Sequence, residues 1–118
     1  ERIDDQLTFS MPLLIADASK GLPYPDHSFD LVYAVAVFQH LPDSLYENAL
    51  SEIRRVAKKF IIHWEYRWPP DAGAFVFDHD IAAWYRSRGD AVHILDPGAA
   101  DCFPEERERT QFYRIELA

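Results

Sequence analysis

Apolar and polar positions recur along this chain with two different periods, and each change of period marks an element. Leu13-Leu14-Ile15-Ala16 is a short apolar run closed by Asp17 and reads as a buried strand. Lys20 to Ser28 (KGLPYPDHS) reads as a loop, punctuated by Gly21, Pro23, Pro25 and Asp26. Phe29 to Phe38 (FDLVYAVAVF) is almost continuously apolar and rich in valine, the pattern of a strand covered on both faces. Leu41-Pro42-Asp43-Ser44 stops that run, and Asp43 or Ser44 suits a helix cap. From Ser44 to Lys59, apolar residues at 45, 49, 50, 53, 56 and 57 make a helical stripe. Glu47 and Glu52 lie early in it, and Arg54, Arg55, Lys58 and Lys59 late, an order the helix dipole favours.

Phe60 to Trp64 is the next strand, and Trp68 to Gly73 (WPPDAG) is a break. A second helix is expected over Phe77–Arg88, with Ile81, Trp84 and Tyr85 on one side, Asp78 as its cap and Gly89 after its end. Ala91 to Leu95 reads as a strand, followed by a turn at Asp96-Pro97-Gly98. Glu105 to Arg109 is charged and should be exposed, and Phe112 to Leu117 alternates as a half-buried strand does. Little helical pattern separates these last two strands, so they should pair as an antiparallel hairpin at one edge. Glu1 to Phe9 is mostly polar and reads as a frayed arm or as the tail of a helix that begins upstream. Strands alternating with covering helices imply an α/β layered fold.

Length and charge narrow the function classes. The 118 residues make one small domain, 1–118. Twelve Lys and Arg against twenty Asp and Glu leave a net charge of −8, which argues against non-specific binding to nucleic acid or an anionic membrane. No apolar run reaches the roughly 18 residues that suggest a membrane span, and no signal-peptide pattern opens the chain. The lone Cys102 forms no internal disulfide, which suits a cytoplasmic protein. The first residue is Glu1 rather than Met.

A set of motifs adds a family. Asp17-Ala18 comes first, then Leu22-Pro23-Tyr24-Pro25-Asp26 and Ser28-Phe29-Asp30. His40-Leu41-Pro42-Asp43 follows, and then Glu52 with Arg55-Val56. In order and spacing these resemble the Rossmann-like S-adenosylmethionine-dependent methyltransferases that act on small molecules, closely over residues 13–66. The resemblance implies a partial Rossmann-like fold holding family strands three to seven, mostly parallel with an antiparallel C-terminal edge. It also implies that strands one and two, the glycine-rich cofactor loop and the ribose-binding acidic residue lie before Glu1. Gly21, Gly73, Gly89 and Gly98 are all isolated, so this chain carries no such loop.

The cofactor implied is S-adenosylmethionine. By the resemblance, Asp17 and Ala18 read the adenine, Ala34, Val35 and Ala36 pass the methionine part, and Phe38 and Gln39 line the methyl-donor pocket. His40 with the aromatic residues Trp64, Tyr66 and Trp68 would line the acceptor pocket, and an aromatic wall suits an apolar or cationic acceptor. Asp17 can equally be a solvated aspartate capping a loop, Ala34, Val35, Ala36 and Phe38 ordinary core, His40 a structural turn residue, and Trp64, Tyr66 and Trp68 packing against a missing segment or a second chain. Phe29, Asp30, Glu52 and Arg55 read as structural, the last two as a helix-face pair. No catalytic side chain is assigned, since methyl transfer draws much of its rate from orientation. His63, Glu65, His79 and Asp80 match no zinc spacing, and no metal is expected.

A nucleic-acid or protein methyltransferase is weighed against by the acidic charge and by the absence of the N-P-P-Y/F motif that the resemblance would place after the fourth family strand, and two readings lead. The first is methyl transfer to a small-molecule acceptor by the intact parent domain. The second is a catalytically inactive relative acting through oligomerisation or a partner protein. A sheet missing two strands exposes an edge, and exposed edges invite pairing, so a homodimer or the missing N-terminal segment is expected there.

Overall fold

The computed structural model describes residues 14–68, 73, 76–96 and 110–118. Strand β1 spans Phe29–Val35 and is followed by a short 3-10 turn, Phe38–His40. Helix α1 covers Asp43–Val56 and strand β2 Ala57–Tyr66. Helix α2 (Ile81–Arg86), strand β3 (Ala91–Ile94) and strand β4 (Thr110–Glu116) complete the set. The four strands form one sheet in the order β1-β2-β4-β3. β1 and β2 pair in parallel, while β4 runs antiparallel to both β2 and β3. Three strands therefore point one way and β4 the other. The expected antiparallel hairpin is present, with β3 at the edge.

The register separates two faces. Ala34 lies beside His63, Ile61 beside Ile115, and Glu65 beside Gln111, so these residues share the inner face. Helices α1 and α2 cover it. Ala49, Leu50 and Ile53 of α1 and Ile81, Trp84 and Tyr85 of α2 join Ala34, Phe38, Ala57, Ile61 and Ile115 in the core. The helical stripe thus points where its spacing directs it, apart from Leu45, which is exposed. The outer face carries Leu31, Tyr33 and Val35 of β1, with Phe60, Ile62 and Trp64 of β2 and Phe112 and Arg114 of β4. None of its residues is fully buried.

Five expectations need correction. Leu14 to Asp17 run as open chain, not as a strand, and Ile15 is fully exposed. No described strand lies beside them to take their amide hydrogen bonds. β1 stops at Val35, and only Ala34 in it is buried, so it is not covered on both faces. α1 ends at Val56 because Ala57 already pairs with Phe29, which draws 57–59 into β2 rather than the helix. Pro42, not Asp43 or Ser44, is the N-cap of α1, and the cap position of α2 belongs to Asp80, whose carboxylate accepts from the Ala83 amide at 3.1 Å. Asp78 instead pairs with Arg67.

Two ion pairs fasten this frame. Arg54 of α1 donates through Nε and Nη2 to Asp90 at 2.7 and 2.9 Å, and Asp90 also accepts from the Ala118 amide. Burial raises the Asp90 carboxyl pKa, but these bonds win and hold it below its ordinary value. Glu52 and Arg55 pair as expected, at 2.7 Å, and together grip the loop before β1. Arg55 donates to the Leu22 and Tyr24 carbonyls and to Asp26, and Glu52 accepts from the Leu22 amide. The stretch 97–109, which includes Pro97, Gly98 and Glu105 to Arg109, lies outside the described residues, as does the arm from Glu1 to Phe9. Among the described residues no helix is long and apolar enough to cross a membrane.

Candidate functional site at the carboxyl rim of β1 and β2

Because β1 and β2 are parallel, their carboxyl ends meet at one rim, where ligands of open α/β sheets bind. Val35 pairs with Trp64, and the Ala36 amide extends the ladder by donating to the Trp64 carbonyl at 2.8 Å. The chain then breaks out of the sheet. Ala36 adopts a left-handed conformation (φ 54°) and Val37 a right-handed one (φ −95°, ψ −51°). Successive residues of opposite hand turn their N–H groups inward as an anion-binding nest. Glu65 fills it: Oε1 accepts from the Val37 and Phe38 amides at 3.1 and 3.2 Å.

The turn that follows joins the two strand ends. Trp68 Nε1 donates to Gln39 Oε1 at 3.2 Å, and the Phe77 amide donates to the Gln39 carbonyl at 2.8 Å. Arg67 and Asp78 pair at 2.7 and 2.9 Å, and Asp78 also accepts from the Trp68 amide. His40 is exposed beside Gln39, their side-chain nitrogens 3.3 Å apart. The Tyr66 and Trp68 rings lie 6.2 Å apart. The structure therefore brings Ala36, Phe38, Gln39, His40, Tyr66 and Trp68 to one rim. Phe38 is buried and serves as a core anchor of the turn. Trp64 stacks on Phe112 on the outer face, with ring centroids 4.8 Å apart.

Asp17 and Ala18 stand apart from this group. Asp17 Oδ1 accepts from the Ser19 amide at 2.9 Å and the Ser19 hydroxyl at 2.6 Å, and these bonds lower its pKa. Its other oxygen has no partner among the described residues. Ala18 packs against the core. No described contact links either residue to the turn at Ala36.

Beneath the rim lies a buried polar cluster that sequence reading did not assign. His63 is fully buried and shares a hydrogen bond with the Tyr85 hydroxyl at 2.8 Å. Burial drives its pKa down to about 3, so it is neutral. Burial pushes the Glu65 carboxyl up to about 7, with the amides of the turn pulling the other way. Gln111 donates to the His79 carbonyl at 3.1 Å and accepts from the Ile81 amide at 3.4 Å, tying β4 to the start of α2. The available signal was period: counting by two from Ile61 places His63 and Glu65 on the core face. Among the described residues no group of three or more His, Cys, Asp or Glu could hold a metal ion.

An open, mixed four-stranded sheet with α1 and α2 on one face is the fold shared with the solved structures that follow. A profile described as "Methyltransferase domain" matches residues 2–60. The chain belongs to this methyltransferase domain family. A sterol 24-C-methyltransferase of Gibberella zeae is 47% identical over 47 residues, covering 40% of this chain and 12% of the relative. A SAM-dependent methyltransferase from Aquifex aeolicus matches with TM-score 0.60 and 16% identity over 91% of this chain. A Haloferax volcanii complex of the Trm112 methyltransferase activator with a methyltransferase matches with TM-score 0.57 and 21% identity over 89% of this chain. The cyclase SpnF matches with TM-score 0.54 and 19% identity over 86%. The chain spans 55%, 60% and 52% of those three solved chains.

Proposed function

We propose that this chain supplies the later part of an S-adenosylmethionine site and takes part in methyl transfer to a small-molecule acceptor. The observation that carries the reading is the rim, where the turn Ala36–Gln39 and the aromatic residues Tyr66 and Trp68 are held together by the bond from Trp68 to Gln39. The residues present fit the cofactor in part. Ala34 and Ala36 are small, which suits close approach to the backbone at the end of β1, and Asp17 has one carboxylate oxygen that no described residue uses, available to an adenine amino group. Phe38 and Gln39 would complete this donor side, with His40 beside Tyr66 and Trp68 on the acceptor side, while Ala18, Val35 and Trp64 lie apart from the rim. S-adenosylmethionine would supply the electrophilic methyl, and the rim would orient the acceptor along the line of attack. The acidic charge and the lone cysteine favour a small-molecule acceptor and a cytoplasmic setting, without nucleic acid or membrane.

A second reading, an inactive relative that works through oligomerisation or a partner, is favoured by the apolar outer edge, where Tyr33 is 70% and Val35 55% exposed. Titration calorimetry of the 118-residue chain with S-adenosylhomocysteine, run beside a light-scattering mass, separates the two. Stoichiometric micromolar binding weakened by Asp17→Ala supports the first. A stable dimer with no binding up to millimolar ligand supports the second.

A further inference from the structure

We propose that Glu65 is the positioning residue of this rim: reaching over from β2, its carboxylate fills the nest at Ala36–Phe38 and sets the shape of the cofactor-side turn. This role rests on the reading of the rim given above.

Three features carry it. The bond spans 27 and 28 positions of sequence, so it ties the end of one strand to the side chain of its neighbour rather than capping its own turn. It also restrains a conformation that its residue does not favour, because Ala36 is left-handed (φ 54°) and a Cβ opposes that state. Lastly, only Oε1 is used by the described residues. Glu65 is 1% exposed, yet Oε2 is buried without a partner among them. A buried oxygen without a partner costs stability, and an apolar side chain of similar size would avoid that cost. The carboxylate is therefore better explained by the backbone it grips than by packing.

The grip depends on pH. A carboxylate accepts amide bonds more strongly than a protonated carboxyl does. Burial brings the Glu65 pKa up to about 7, so both forms are populated near neutrality. The groups facing it are His63 on its own strand, the Tyr85 phenol from α2, and Gln111 with Tyr113 from β4. Among the described residues no cation pairs with it. His63 is held neutral, and the phenols of Tyr85 and Tyr113 are pushed above their ordinary values, so none of the three titrates near neutrality.

The test uses the 15N-labelled 118-residue chain as wild type, Glu65→Gln and Glu65→Ala. Amide shifts of Val37 and Phe38 are followed from about pH 5.5 to 8.5, and S-adenosylhomocysteine affinity is measured near pH 6 and pH 8. In the wild type the two amides should move together with a midpoint near 7, and affinity should rise about three- to tenfold with pH. Glu65→Gln keeps the shape and one acceptor oxygen, so it should bind with the weaker affinity of wild type near pH 6 and lose both responses. Glu65→Ala should lose about tenfold or more in affinity; if it fails to fold, Glu65→Gln carries the test. Static amides in a wild type that binds ligand, or a wild-type pH response in Glu65→Gln, overturn the proposal and leave the site reading standing. Titrating amides in a wild type that binds nothing sink the site reading, and the positioning role with it.

Discussion

The two faces of the sheet are built from the same alternating strands and have opposite fates. The inner face carries Ala34, Ile61, His63, Glu65 and Ile115, all buried under α1 and α2. The outer face carries Leu31, Tyr33 and Val35, with Ile62 and Trp64 next to them, and stays open. Apolar content does not distinguish them. The inner face also holds polar side chains, each anchored through one atom: Glu65 Oε1 by the turn above it and His63 Nε2 by the Tyr85 hydroxyl, while Glu65 Oε2 and His63 Nδ1 are buried without a partner among the described residues. Among the described residues nothing covers the outer face, and its exposed apolar side chains are the composition of a surface that meets something else.

The largest expected break in this contrast comes from a matched pair. Ile61→Ala removes a fully buried side chain and should destabilise by about 2–5 kcal/mol in urea unfolding. Tyr33→Ser, on the open face of the neighbouring strand, should change stability by less than about 0.5 kcal/mol and reduce any self-association seen by light scattering. Equal costs at the two positions would mean that the outer face is covered in solution.

Next comes the pair that locks α1 to the turn before β3. Asp90→Ala leaves Arg54 without its bidentate partner and frees the Ala118 amide. Arg54 is a third exposed, so water recovers part of the loss, and the expected cost is about 2 kcal/mol in the same measurement.

A subtler effect concerns pH. Glu65 ordinarily titrates near 4.5 and in the fold near 7, so between these values the native state holds a proton that the unfolded chain has released. Its contribution to stability therefore falls as pH rises through that window. His63 does the reverse: ordinarily near 6.5 and in the fold near 3, it makes stability rise with pH over that span. From about pH 4.5 to 6.5 the two slopes oppose each other, and wild-type stability should be nearly flat. Glu65→Gln should unmask the rise from His63, of order 1 kcal/mol per pH unit, and His63→Gln the fall from Glu65. Parallel pH profiles for wild type and Glu65→Gln would contradict the assignment.

Some of this was legible in the sequence. The stripe 49, 50, 53 and 56 predicted the buried side of α1, and Ile81, Trp84 and Tyr85 that of α2, because helical period depends only on near neighbours. The Glu52–Arg55 pair was legible for the same reason. The start of β2 was not: Lys58 and Lys59 suit a helix end, and only the partnership of Phe29 with Ala57 decides otherwise. Leu14 and Ile15 are as apolar as any strand, and burial depends on neighbours that the run itself does not specify. The family resemblance singled out Gln39 and Trp68, which a hydrogen bond joins in the structure. The left-handed Ala36 was not legible, since alanine gives no turn signal, and the carboxylate that holds it lies almost thirty residues away.

The central claim is that the turn after β1 is the cofactor side of a methyltransferase rim. Chemical-shift mapping of S-adenosylhomocysteine on the 15N-labelled chain tests it most directly. The account predicts saturable shifts at Ala36, Val37, Phe38, Gln39 and the Trp68 indole, with the core strand around Ile115 unmoved. Shifts confined to the outer face around Tyr33 and Phe112, or none up to millimolar ligand, would contradict it.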